Sequence, residues 1–239
     1  MKDYRSKPIS RMVSLGESTT WGYSASDKRC CWVNILHNYL ERFQGSKIDL
    51  INRGIGSNVL STACPAYAIS ERPCGMERLD EHVINEKPDL VTISYGLNDS
   101  RGGTDIRVFR AEYQSMIDRI RAAGDTLIVL VGMYAMHEAN YYTCEGWDRS
   151  DPNIAVLFNE AIRQLARDND LLFADIYEAQ RDTVWLVDPD HCHPNDLGHL
   201  LIANRVFEVI ARNCSFTSLT MPTEPSLDAF VEKYGNGPD

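Results

Sequence analysis

No apolar run in the 239-residue chain approaches the roughly 20 residues needed to cross a bilayer. The opening segment also lacks the apolar stretch and small-residue cleavage site of a signal peptide. A soluble, cytoplasmic protein is expected, with no membrane partner. Clustered basic charge is missing too: 24 Lys and Arg stand against 34 Asp and Glu, a net charge of −10. Such a balance repels polyanions, which removes nucleic acid from the expected partners. The seven cysteines are odd in number, scattered and without a C-x-x-C pair. Neither a disulfide framework, a thioredoxin-like redox motif nor a zinc finger is implied. Internal repeats, low-complexity tracts and Pro/Ser-rich linkers are absent from residues 9–213, so one domain is favoured over two.

What the chain does contain is an alternation of short β-branched runs and longer amphipathic stretches. Strands are expected at 9–15, 47–51, 89–95, 126–131 and 171–176, rich in Val, Ile and Leu as strands buried on both faces should be. Helical periodicity covers 31–43, 76–86, 105–123, 153–169 and 195–213; in the first, Val33, Leu36, Leu40 and Phe43 recur on one face. Five β-α alternations predict an α/β fold with crossover helices on a parallel sheet. Residues 1–213 form the expected domain. The remainder, 214–239, carries Pro and Gly around one helical pattern at 227–234 and reads as a tail that packs on the domain or on a second copy, which leaves a homo-oligomer open.

Ligands in such sheets bind beyond the carboxyl ends of the strands, so the residues just after each strand matter most. Strand one runs into Gly16-Glu17-Ser18, strand two into Asn52-Arg53-Gly54-Ile55-Gly56-Ser57-Asn58, and strand three into Gly96-Leu97-Asn98-Asp99. A serine beside glycine at a strand end can supply a nucleophile and a backbone donor, although Ser and Thr are also common as helix N-caps, and the local motif at Ser18 is weak by itself. Gly56 N–H and the Asn98 amide can add donors to make a three-point oxyanion hole, or can belong to ordinary turns. The Gly-x-Gly at 54–56 is no dinucleotide fingerprint: it comes after the second strand and lacks a third glycine.

A hydroxyl nucleophile needs a base, and two histidines lie in Asp188-Pro189-Asp190-His191-Cys192-His193-Pro194. Asp190/His193 and Asp188/His191 share a three-residue spacing, so spacing alone does not choose between them. A metal site built from His191, His193 and Cys192 or His199 has no second ligand group at zinc spacing to support it. Trp21, Tyr23 and Tyr95, with Tyr134, Tyr141, Tyr142 and Trp147 in the segment 133–151, are candidates to line a small acyl or sugar pocket, or to pack beneath a long loop.

Taken in order, these four blocks resemble those of the SGNH hydrolases, also called the GDSL esterase/lipase family. The resemblance rests most on Gly96-Leu97-Asn98-Asp99 and Asp190-x-x-His193-Pro194, and it spans residues 9–213. It implies a three-layer, flavodoxin-like α/β/α fold with a five-stranded parallel sheet. It further implies a serine esterase acting on small carboxylic esters, short-chain or carbohydrate-linked, through an acyl-enzyme and without a cofactor or metal. Ser18 is then the nucleophile, His193 the base and Asp190 the orienting acid, which favours the second Asp/His pair. The oxyanion donors are Ser18, Asn98 and Gly56 or Ser57, since counting from Asn52 the family glycine falls equally well at either. Trp21 and Tyr95 are the expected substrate contacts. One departure stands out: Glu17 replaces the usual Asp of the first block. Against this reading stand a non-catalytic ligand-binding domain on the same fold, a flavodoxin-like nucleotide binder and a metal hydrolase.

Overall fold

A computed structural model describes residues 2–217. Five strands, β1 (Arg11–Gly16), β2 (Asp49–Gly54), β3 (Leu90–Ser94), β4 (Leu127–Val131) and β5 (Leu172–Ala174), pair in parallel in the order β2-β1-β3-β4-β5. Parallel neighbours require long crossovers, and helices supply them. α2 (Trp32–Gln44) packs with α7 (Asp196–Asn213) on one face, and α4 (Ile106–Ala123) with α5 (Pro152–Asp168) on the other, giving the expected three layers. Short helices α1 (Ser18–Trp21), α3 (Leu97–Arg101) and α6 (Ile176–Gln180) come directly after β1, β3 and β5 at the carboxyl edge.

Local chemistry explains most boundaries. Asp105, Asp151 and Asn195 accept backbone N–H groups at the starts of α4, α5 and α7, satisfying donors that a helix leaves unpaired. Pro152 sits in the first turn of α5, where no N–H is needed. Met12, Val13, Leu15, Val91, Ile93, Val129 and Leu130 are buried in the sheet against Trp32, Leu36, Leu40, Tyr113, Ile162 and Val206 from the helices. Among the described residues no helix is long and apolar enough to cross a membrane.

Three expectations are modified. β2 runs to Gly54 rather than 51, because Asn52, Arg53 and Gly54 pair with Ser14, Leu15 and Gly16. The helix expected at 76–86 is instead a set of turns and a π-helix, Asp80–Ile84, in which Asn85 N–H reaches the Asp80 carbonyl at 2.8 Å. Arg78, just before it, is buried and bonds the carbonyls of Gly16 and Arg53, so this segment supports strand ends instead of forming a regular helix. Packing also continues past 213: Phe216 is fully buried, and the Ser215 N–H and hydroxyl donate to the Asp3 carboxylate at 2.9 and 2.5 Å. The domain therefore includes residues 214–217, and the helical pattern at 227–234 lies outside the described residues.

The sheet register sets the height of the loops at the carboxyl edge. Gly16 is paired with Gly54 on one side and Ser94 on the other, so the loops after β1, β2 and β3 leave the sheet at one level.

Candidate active site

Ser18 is the first residue of α1, and the N-cap is Glu17. Its hydroxyl is thus free of capping duty and lies 2.9 Å from Nε2 of His193. The approach of β2 to α1 depends on Gly54: a Cβ there would fall 2.0 Å from the Trp21 nitrogen. Asn52 seals the same contact by donating from Nδ2 to the Thr20 carbonyl at 2.7 Å.

Glu17 turns away from its own helix. Oε1 accepts the Gly96 N–H at 2.8 Å and Oε2 the Asn98 N–H at 3.3 Å, so the first block is tied directly to the third. Burial pushes its carboxyl well above the ordinary value; Asp99 adds to the rise, while the two N–H bonds and the Arg101 cation oppose it. The replacement of Asp by Glu in this block therefore places a longer strut between two loops and leaves the nucleophile itself unchanged. Gly96 takes φ 133°, in the region that favours glycine, and lets the chain turn directly from β3 into α3.

Asn98 projects from α3 and donates one amide hydrogen to the Asn58 carbonyl at 3.0 Å, leaving the second available. Asn58 is in turn fixed by Tyr95 Oη, which donates to its Oδ1 at 2.7 Å, by Arg78, and by the carbonyls of Glu71 and Pro73. Asp99 does not form an Asx-turn; it accepts the Leu60 N–H at 3.0 Å, and burial lifts its carboxyl to about 7. The backbone N–H groups of Ser18, Gly56 and Ser57 have no acceptor among the described residues. Gly56 and Ser57 are distinguishable by backbone. Ser57 sits at φ 50°, the left-handed conformation glycine favours, and Gly56 does not.

The acid/base loop closes on itself. Val187 pairs with Pro194, and Asp188 N–H donates to the His193 carbonyl at 2.8 Å. Within this loop Asp190 Oδ2 is 2.5 Å from His193 Nδ1, and Oδ1 accepts the N–H groups of Cys192 and His193 at 2.8 and 2.9 Å. Burial works against the Asp190 charge, but these bonds from the ring and backbone outweigh it and hold the carboxyl below its usual value. A base with Nδ1 against a carboxylate and Nε2 on a serine hydroxyl is the arrangement that general-base activation requires. The equally spaced pair Asp188/His191 is not assembled: Asp188 accepts from Ser24 Oγ, while His191 adopts φ 59° with its ring 5.1 Å from that of His137.

At the rim, Tyr23 lies with its ring 4.3 Å from the His193 ring, and Trp21 is 6.1 Å from Tyr23. Trp21 is 60% exposed and Tyr23 48%. His199, buried in α7, accepts the Trp32 N–H at Nδ1 and so donates from Nε2 to the Tyr23 carbonyl at 2.9 Å; burial lowers its pKa, favouring this neutral form. The expectation that Tyr95 contacts substrate does not fit the structure, because Tyr95 is buried and its hydroxyl is used on Asn58 and Arg78. Tyr134 and Tyr141 are buried as well. Sequence reasoning missed Arg78, Arg101 and the anchoring role of Asn58; a basic residue at a core position of a helical pattern was the available signal for Arg78.

This site has the geometry of a serine hydrolase at the carboxyl edge of a doubly wound sheet. The sequence profile of the GDSL-like lipase/acylhydrolase family matches residues 14–201, and the chain belongs to that family. It is accordingly a carboxylic ester hydrolase. Solved structures with the same fold include a lipase/acylhydrolase from Enterococcus faecalis, at 18% identity and a TM-score of 0.69, over 90% of this chain and 99% of that one. An acetylxylan esterase from Geobacillus stearothermophilus is similar at 19% identity and a TM-score of 0.64, over 88% and 96%. A two-domain esterase active on acetylated mannans is similar at 21% identity and a TM-score of 0.62, over 91% of this chain and 52% of that chain. A search of curated protein sequences finds no match.

Proposed function

We propose that the chain is a serine esterase that removes short acyl groups, acetyl foremost, from carbohydrate alcohols by two-step acyl transfer. The observation that carries this reading is the continuous series Ser18 Oγ, His193 Nε2, His193 Nδ1 and Asp190 Oδ2, with contacts of 2.9 and 2.5 Å. Ser18 Oγ attacks the ester carbonyl as its proton passes to His193 Nε2. The N–H groups of Ser18 and Ser57 and the Asn98 amide hold the oxyanion. The carbon–oxygen bond to the alcohol then breaks, and His193 returns the proton to the leaving oxygen. Water, deprotonated by His193, attacks the acyl-enzyme and releases the acid and free Ser18. Asp190 keeps the ring oriented and supports its positive charge.

The carbohydrate part of the reading rests on the rim. Trp21 and Tyr23 present exposed aromatic faces beside the base, where the leaving alcohol departs, and such faces suit the flat apolar side of a sugar ring. The activities of similar structures, an acetylxylan esterase and an esterase active on acetylated mannans, point the same way. Seven free thiols suit a reducing compartment, which supports the cytoplasm.

The test is a panel of p-nitrophenyl acetate, butyrate and octanoate together with acetylated xylooligosaccharides. The expected result is a kcat/KM that falls with acyl length, and turnover of the acetylated sugars. A preference for octanoate, or sugars left untouched while simple acetates are cleaved, would overturn the substrate assignment.

A further inference from the structure

Arg101 is the last residue of α3, three positions after Asn98, and it is only 7% exposed. A buried guanidinium is ordinarily matched by a carboxylate, because an unpaired charge away from water is costly. Among the described residues no carboxylate lies within ion-pair distance of Arg101, although its charge acts from further off on the buried Glu17 carboxyl. Its donors go to three neutral acceptors: Nε to the Trp147 carbonyl at 3.2 Å, Nη2 to the Asn140 carbonyl at 3.4 Å, and Nη1 to Cys192 Sγ at 3.7 Å. Burial lifts the Cys192 thiol to about 11, so the sulfur accepts as a neutral group.

These acceptors are not scattered. Cys192 lies between Asp190 and His193, and its own N–H donates to Asp190 Oδ1. Asn140 reaches the Asp190 carbonyl from Nδ2 at 3.5 Å, and His137 N–H bonds the His191 carbonyl at 3.0 Å. The loop after β4 therefore braces the acid/base loop from one side, and Arg101 grips both. The same five-residue helix carries Asn98, whose amide keeps one hydrogen beyond its bond to the Asn58 carbonyl.

We propose that Arg101 is a positioning residue, which keys the Asp190–His193 loop to the helix carrying the Asn98 donor and so fixes the base relative to the oxyanion site. This rests on the esterase reading above. The guanidinium is suited to the task because its planar fork holds several acceptors at fixed mutual angles, which an ammonium on a flexible stem does not. Misplacement of reacting groups by about 1 Å costs on the order of 10²-fold in rate.

The test compares wild type with Arg101→Met, which keeps length and packing, and Arg101→Lys, which keeps charge without the fork. Steady-state turnover of p-nitrophenyl acetate and the rate of Ser18 labelling by a fluorophosphonate are measured, with circular dichroism to establish folding. The expected result is a kcat lower by on the order of 10²-fold in Arg101→Met, with KM within about threefold of wild type. Labelling should fall in parallel, and Arg101→Lys should recover only a minor part of the loss. A kcat within about threefold of wild type, a loss confined to KM, or full rescue by lysine would overturn the proposal. If Arg101→Met fails to fold, Arg101→Lys and Cys192→Ala, which removes the sulfur that accepts from Nη1, carry the same comparison. Absence of turnover by wild type itself would instead overturn the esterase reading, which separates the two failures.

Discussion

Ser18 and His193 are 175 positions apart in the chain and 2.9 Å apart in space, so the fold brings the hydroxyl to its base. The residue types are legible in the sequence, because hydroxyl activation has few solutions and each is present at an element end. Spacing does not decide which Asp/His pair serves. The structure separates them through partners distant in sequence: Asp188 is taken by Ser24, and His191 turns toward His137. Tyr95 is illegible for the same reason, since the direction of its hydroxyl is set by Asn58 and Arg78 from other segments. The second oxyanion donor can be tested at this scale. If its backbone N–H is the working group, Ser57→Gly keeps kcat within about threefold. Relief of left-handed strain, set against the greater freedom of glycine when unfolded, should leave Ser57→Gly more stable by on the order of 0.5 kcal/mol. A tenfold or greater loss of kcat, read against unfolding in urea, would mean that the Ser57 hydroxyl acts instead.

At the scale of elements, the five strands and the long helices are legible because their apolar spacing carries the packing directly. The edges and the 76–86 segment are not. There, long-range bonds decide: Asn52–Gly54 join the sheet because β1 offers a partner, and Arg78 serves the strand ends. Buried Glu17 joins the start of α1 to α3, while buried Asp99 ties α3 to the Leu60 N–H, and the second acid has a consequence for stability. Burial raises the Asp99 carboxyl from 3.8 to about 7. Between those values the folded chain retains a proton that the unfolded chain has lost, so stability declines as pH rises through this window. Asp99→Asn can keep an acceptor for the Leu60 N–H and removes that titration. Thermal unfolding monitored from about pH 4 to about pH 8 should therefore show a shallower decline in Asp99→Asn than in wild type, with the variant gaining relative stability toward the alkaline end. Parallel curves would show that Asp99 does not titrate in this range.

For the molecule as a whole, the net charge of −10 is carried almost entirely outside the chemistry. Glu17, Asp99 and Asp190 are the acids built into the site: two are held up by burial, and one is held ionised by its partners. The architecture divides the work. The sheet register sets the levels of three loops, α7 and its preceding loop bring the base across, and the aromatic rim stays open to solvent. Family membership establishes ester hydrolysis, while the proposal that Ser18 performs it through His193 and Asp190 rests on geometry. The most direct measurement is turnover of p-nitrophenyl acetate by wild type and by Ser18→Ala, with both shown to be folded by circular dichroism. Wild type should hydrolyse the ester, and Ser18→Ala should lose activity by on the order of 10⁴-fold or more; equal turnover by the two proteins would contradict the assignment of Ser18 as nucleophile.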